Sequence, residues 1–117
     1  AGFNDVHISG KLIAAFDSRW HLFDLQGNEI TVKNPFWKPV FRNEKWFENG
    51  LAPVFVGNKA GYLNASGQLV IAPKFDFALP FQGGVAPVWI GDRWKLISSS
   101  GEIIPGLEFS KPPLFVD

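Results

Sequence analysis

The stretch "FENGLAPVFVGNKAGYLNASGQLV" occupies residues 47–70, and "FQGGVAPVWIGDRWKLISSSGEII" occupies residues 81–104. Set at an offset of 34, Phe47 falls on Phe81, Gly50 on Gly84, Ala52 on Ala86, Pro53 on Pro87, Val54 on Val88 and Gly57 on Gly91. Ser66 and Gly67 fall on Ser100 and Gly101. Most mismatches keep their chemical type: Leu51 meets Val85, Lys59 meets Arg93 and Val70 meets Ile104. Glycines, a proline and a phenylalanine held in one phase mark an internal duplication.

A weaker copy precedes these two. "SRWHLFDLQGNEI" at 18–30 aligns with "DRWKLISSSGEII" at 92–104, an offset of 74. "PVFRNEKWF" at 39–47 then aligns with "PKFDFALPF" at 73–81, back at the offset of 34. The first unit is therefore six residues longer, and this alignment puts the extra length in "TVKNPFWK", residues 31–38. One domain over 1–117 divides into units of about 10–46, 47–80 and 81–117.

The local pattern is β, not helical. Each unit carries several glycines and prolines, and its apolar residues alternate or run in short β-branched blocks. Three strands per unit are predicted, in the second at 51–56, 60–64 and 68–72. Gly57-Asn58 and Gly91-Asp92 are hairpin dipeptides. "DLQG", "NASG" and "SSSG" are four-residue turns in which Asp24, Asn64 and Ser98 bond the backbone two residues on, with glycine in the left-handed position. Alternation groups Ala52, Val54 and Val56 with Ala86, Val88 and Ile90, and in unit one with Leu12, Ala14 and Phe16, as the core face. Pro53 and Pro87 lack a ladder donor, which predicts an edge at that strand position. The expected fold is all-β: three tandem hairpin-based repeats packed as a compact array or a small barrel-like closure. Three units are too few for an ordinary propeller.

Composition narrows the function. The chain of 117 residues has no cysteine, so it holds neither disulfides nor a thiolate metal site. Its 11 basic residues balance 11 acidic ones, which argues against nucleic acid as partner. No apolar run is long enough to span a membrane. The opening residues are not a signal peptide, and the absence of methionine reads as a processed or trimmed protein. These features leave the compartment open.

The order F-x-x-G-hydrophobic-A-P-V, a turn, an aromatic-centred strand, S-G, a β-run and P-K-F-D resembles the bacterial WG-repeat family. The second unit carries this frame over 47–80, and the third over 81–105. The Trp-Gly pair itself is absent, since Trp20 precedes His21, Trp94 precedes Lys95, and Ala60-Gly61 keeps only the glycine. The resemblance implies a β-repeat domain without known catalytic residues, of a kind found in secreted, surface and interaction-type proteins.

Chemistry-bearing motifs are sparse. His7 and His21 lack metal-ligand spacing, no nucleophile elbow or phosphate loop occurs, and Ser98–Ser100 are turn residues, so neither metal nor cofactor is expected. A small hydrolase built on Asp17, Ser18 and His21 is the weakest reading. Three features suit binding. Phe36 and Trp37, between Lys33 and Lys38 and stiffened by Pro35 and Pro39, form either an anchor or a cap on the core. Arg19, Lys59 and Arg93 share one repeat phase, as an acid-binding rim or as a wet face with cross-strand carboxylates. Phe55 and Trp89 stack either on a ligand or on the next repeat. The expected function is a non-enzymatic protein–protein interaction module, an immunity or inhibitor protein being one concrete form, with an acidic protein as partner. A carbohydrate or cell-wall binding module using exposed Trp and Phe is the alternative.

Overall fold

Four strands, not three, make each repeat. The computed structural model describes residues 2–34, 36–41 and 45–111. The first sheet contains β1 (Asp5–Ser9), β2 (Leu12–Phe16), β3 (Trp20–Phe23) and β4 (Glu29–Ile30). The middle sheet contains β5 (Trp37–Pro39), β6 (Ala52–Val56), β7 (Lys59–Leu63) and β8 (Leu69–Phe75). The third contains β9 (Phe77–Ala78), β10 (Val85–Ile90), β11 (Arg93–Ser98) and β12 (Ile103–Phe109). Each is an antiparallel meander in chain order, and the three form an array without barrel closure, 48 × 30 × 23 Å in extent. Pro35 and residues 112–117, part of the predicted insert and third unit, lie outside the described residues.

The additional strand in each sheet is the first, and the preceding stretch of chain supplies it. β9 follows β8 after a single residue, Asp76, so the "P-K-F-D" segment hands the chain from one sheet to the next. The hand-over is fastened twice. The Asp76 carboxylate accepts from Lys59 Nζ of the middle sheet and, at 2.8 Å, from Gly91 N–H of the third. The Asp76 N–H donates to Trp89 O at 2.8 Å.

The second turn is built alike three times. Asp24, Asn64 and Ser98 each donate N–H to the carbonyl four residues on (Asn28, Gln68, Glu102), and each accepts from the glycine three residues on. Asp24 and Asn64 also accept, through Oδ1, from the N–H two residues on, at 3.0 Å. Ser98 departs from that expectation, its Oγ meeting Ser100 Oγ at 2.8 Å. Gly27, Gly67 and Gly101 take φ of 87°, 80° and 87°, the left-handed region that closes such a turn without a Cβ penalty.

Three expectations change on the ladder. Phe16 pairs with Trp20, as Phe55 pairs with Ala60 and Trp89 with Trp94. Leu12, Ala14 and Phe16 thus correspond to Leu51, Pro53 and Phe55, not to Ala52, Val54 and Val56. The first hairpin turn is one residue shorter, and a slip of one residue exchanges the faces. Next, β6 and β10 are not edges. Val40 N–H donates to Pro53 O and Leu79 N–H to Pro87 O, just past the ends of β5 and β9, so the missing proline donors fall where the neighbouring ladder stops. Finally, these bonds make Val40 the counterpart of Leu79. Val40 stands seven residues before Phe47 and Leu79 two before Phe81, which puts five of the six surplus residues of unit one after β5 rather than in 31–38.

Two cores lie between three sheets, so both faces of the middle sheet are buried. Ala52, Val54 and Leu63 pack with Leu12, Ala14 and Leu22 of the first sheet. Tyr62, Ile71 and Phe75 pack with Ala86, Val88 and Ile97 of the third. Buried polar atoms are satisfied: Tyr62 Oη donates to Leu79 O at 2.7 Å, and Trp46 Nε1 to Pro53 O at 2.8 Å. Ser9, the buried polar residue of β1, accepts through Oγ from the N–H groups of Trp46 and Phe47 at 3.3 and 3.0 Å. That hydroxyl ties the first sheet to the segment entering the middle one.

Candidate functional site

The first hairpin and the segment leading into β5 enclose a cleft of about 360 Å³, lined by Phe16, Arg19, Trp20, Phe36, Trp37 and Lys38, with Ser18 at its side. Local rules place each wall. Phe16 and Trp20 face each other across the hairpin with ring centroids 5.2 Å apart. Asp17 Oδ1 accepts from the N–H groups of Ser18 and Arg19, fixing the three-residue turn that carries Arg19. Asn34 Oδ1 accepts from Phe36 N–H at 3.0 Å, folding the chain just before β5. Lys38 follows on β5, exposed, opposite Phe55.

Phe36 and Trp37 part company here. Phe36 is 82% exposed, whereas Trp37 is 3% exposed and belongs to the core between the first two sheets. Trp37 lies parallel to Trp46, at 6.1 Å between centroids and 10° between planes. Of the two readings open for this pair, Trp37 takes that of a core residue, while Phe36 stays exposed. Trp37 opens β5 and takes an inward position opposite Val56, whereas Phe36 stands in the turn before the strand.

The basic ladder is mostly paired. Lys59 binds Asp76, Arg93 lies 3.8 Å from Asp92, and Lys95 lies 3.8 Å from Glu108. Arg19 and Lys38 form no ion pair among the described residues. Phe55 is half-buried against the core that the middle sheet shares with the third, 5.7 Å from Phe77. Trp89 is half-buried too, edge-on to Trp94 at 5.5 Å. Of the eight sequence candidates, Arg19, Phe36, Trp37 and Lys38 converge on the cleft, while Phe55, Lys59, Trp89 and Arg93 lie elsewhere. Phe16 and Trp20 were not singled out for binding. Their signal was the cross-strand pairing Phe16–Trp20, hidden by the shortened turn.

His21 sits behind the cleft with both ring nitrogens engaged. Nδ1 lies 2.8 Å from Glu29 Oε2 and Nε2 lies 3.1 Å from Asp17 Oδ1. The hydrogen bond to Glu29 and the two negative charges outweigh partial burial and raise its pKa above the ordinary 6.5. Asp17 is lowered, mainly by the Arg19 N–H, with further help from Ser18 and His21. A serine-type mechanism needs one imidazole nitrogen facing the hydroxyl. Here both face carboxylates, and Ser18 Oγ lies 3.5 Å from Asp17 rather than against the ring. The cluster is a hydrogen-bonded clasp joining the hairpin turn to β4.

Residues 61–94 match the family described as WG containing repeat. That span begins within β7, runs through the Asp76 hand-over and ends within β11. No curated protein and no solved structure matches the chain. No helix of the described residues is long and apolar enough to cross a membrane.

Proposed function

We propose that this chain, which carries the WG-type repeat, is a non-catalytic recognition module that binds an acidic segment of another protein in the cleft between its first two sheets. The observation that carries the reading is the juxtaposition of Phe36, 82% exposed, with Arg19 and Lys38, which no described carboxylate neutralises. An exposed aromatic costs solvation unless a partner covers it, and truncating such an anchor removes a disproportionate share of binding energy. Two cations at the rim favour a carboxylate-bearing partner and speed its encounter, more so at low salt. An inhibitor or immunity protein that covers an acidic surface of its target has these requirements.

The test is capture of interacting proteins from the source cell, compared between the native chain and Phe36→Ala, Arg19→Glu and Lys38→Glu. Loss of the same partner from all three variants, with thermal stability retained, supports the reading; unchanged capture by all three overturns it. The carbohydrate alternative draws support from the aromatic lining of the cleft. Tryptophan fluorescence titrated with cell-wall oligosaccharides tests it, since Trp20 and Trp37 line the cleft and would report an occupant.

A further inference from the structure

Each sheet presents one face to the sheet before it and the other to the sheet after it, and the equivalent positions follow from the ladders. Val6 pairs with Ala15, Pro39 with Val54, and Ala78 with Val88. In the middle and third sheets the preceding sheet covers this rung, leaving Pro39 half-buried and Ala78 fully buried. In the first sheet Val6 is 53% exposed and Ile8, on the same side, 68%. Phe3 extends the apolar patch, its ring 5.6 Å from Phe23.

The turn glycines say the same independently. A Cβ on Gly67 would meet Thr31 O of the preceding segment at 2.8 Å, and one on Gly101 would meet Ile71 Cγ2 of the preceding sheet at 3.1 Å. Gly27, their equivalent in the first sheet, has nothing within 4 Å among the described residues. At the other end, β8 buries Ile71 and Phe75 under the third sheet. Their counterparts one period on are Pro105, exposed, and Phe109, half-buried, with Leu107 between them 42% exposed.

We infer that the chain associates head to tail with a second copy of itself, the Val6–Ile8 face of the first sheet of one molecule packing on the Leu107–Phe109 face of the third sheet of another. The argument is continuity with an interface that the chain already makes twice internally. The exposed apolar rows at the two ends, Val6 and Ile8 on one side and Leu107 on the other, stand where the interior sheets make that same packing. Because the two faces differ, the contact is heterologous, and nothing in it limits assembly to two molecules.

Sedimentation velocity of the 117-residue chain over a wide concentration range tests this. Average mass should rise beyond that of a dimer. Ile8→Asp and Leu107→Asp should each sediment as monomers while keeping native circular dichroism. An equimolar mixture of the two keeps one intact face of each kind, so it should form a one-to-one dimer and nothing larger. If Ile8→Asp disturbs the fold, Val6→Lys on the same side of β1 replaces it. A chain that stays monomeric at every concentration overturns the inference. So does assembly that survives Ile8→Asp, or a mixture in which neither variant rescues the other.

Discussion

The middle and first sheets run through the same four-strand meander, yet they differ in what a single rung carries. At the third-strand position that pairs with Ala15 in the first sheet and with Val54 in the middle one, the first sheet has His21, with Glu29 and Asp17 as its partners. The middle sheet has Gly61 there, where a Cβ would lie 2.5 Å from Ile71 O and 2.8 Å from Pro73 N. The β7–β8 register shifts at that point, and β8 crosses closely over the glycine. A sheet enclosed on both faces spends its rungs on close backbone approach. A sheet at the end of the array has room for a side chain and for charge.

The comparison breaks most visibly at Gly61. Gly61→Ala should destabilise the fold by about 3 kcal/mol or more, because the obstruction is backbone and cannot rotate away. Chemical denaturation measures this. Loss below about 1 kcal/mol would mean that β8 can move off the rung.

Gly67 and Gly27 sharpen the same contrast, since both hold the left-handed position of the same turn. Gly27→Ala carries only the backbone cost, about 1 kcal/mol. Gly67→Ala adds collision with Thr31 O, for a total of about 3 kcal/mol. Equal losses would refute the close seating of the middle sheet's turn on the first sheet.

Ser9 probes the seam between the two sheets. Ser9→Ala leaves the buried N–H groups of Trp46 and Phe47 without their acceptor, at a cost of about 2 kcal/mol. For a domain near this size that lowers the melting temperature by roughly 10 °C.

The smallest effect belongs to His21. Its pKa is raised in the folded state, so its contribution is fully present below the unfolded value of 6.5 and fades as pH rises through the higher folded value. Melting temperature should therefore decline slightly from mildly acid to alkaline pH, and His21→Gln should flatten that decline. A slope unaffected by the substitution would assign it to other groups.

The long strands and the turns were legible in the sequence because their signals are local: alternation over five or six residues, and glycine where φ must be positive. The all-β repeat architecture follows from them. What stayed hidden depends on contacts distant along the chain. β9 spans two residues and β5 three, too short for any periodicity to show. Their pairing is visible only once β10 and β6 lie beside them. Leu12 and Ala14 do face the core, but their counterparts in the other units were misassigned because the Asp17–Arg19 turn is one residue shorter, and alternation alone cannot see a missing loop residue. At the cleft, Phe36 and Arg19 could be named from sequence, but the burial of Trp37 is settled by Trp46 and Trp20 packing around it.

The single-residue passage at Asp76 has a consequence for how the molecule comes apart. Because the first strand of the third sheet is tethered to the last strand of the middle one with no slack, neither sheet can peel away while the other keeps all its rungs. Unravelling at that junction should breach two neighbours in the same event, so these two repeats melt cooperatively rather than one at a time.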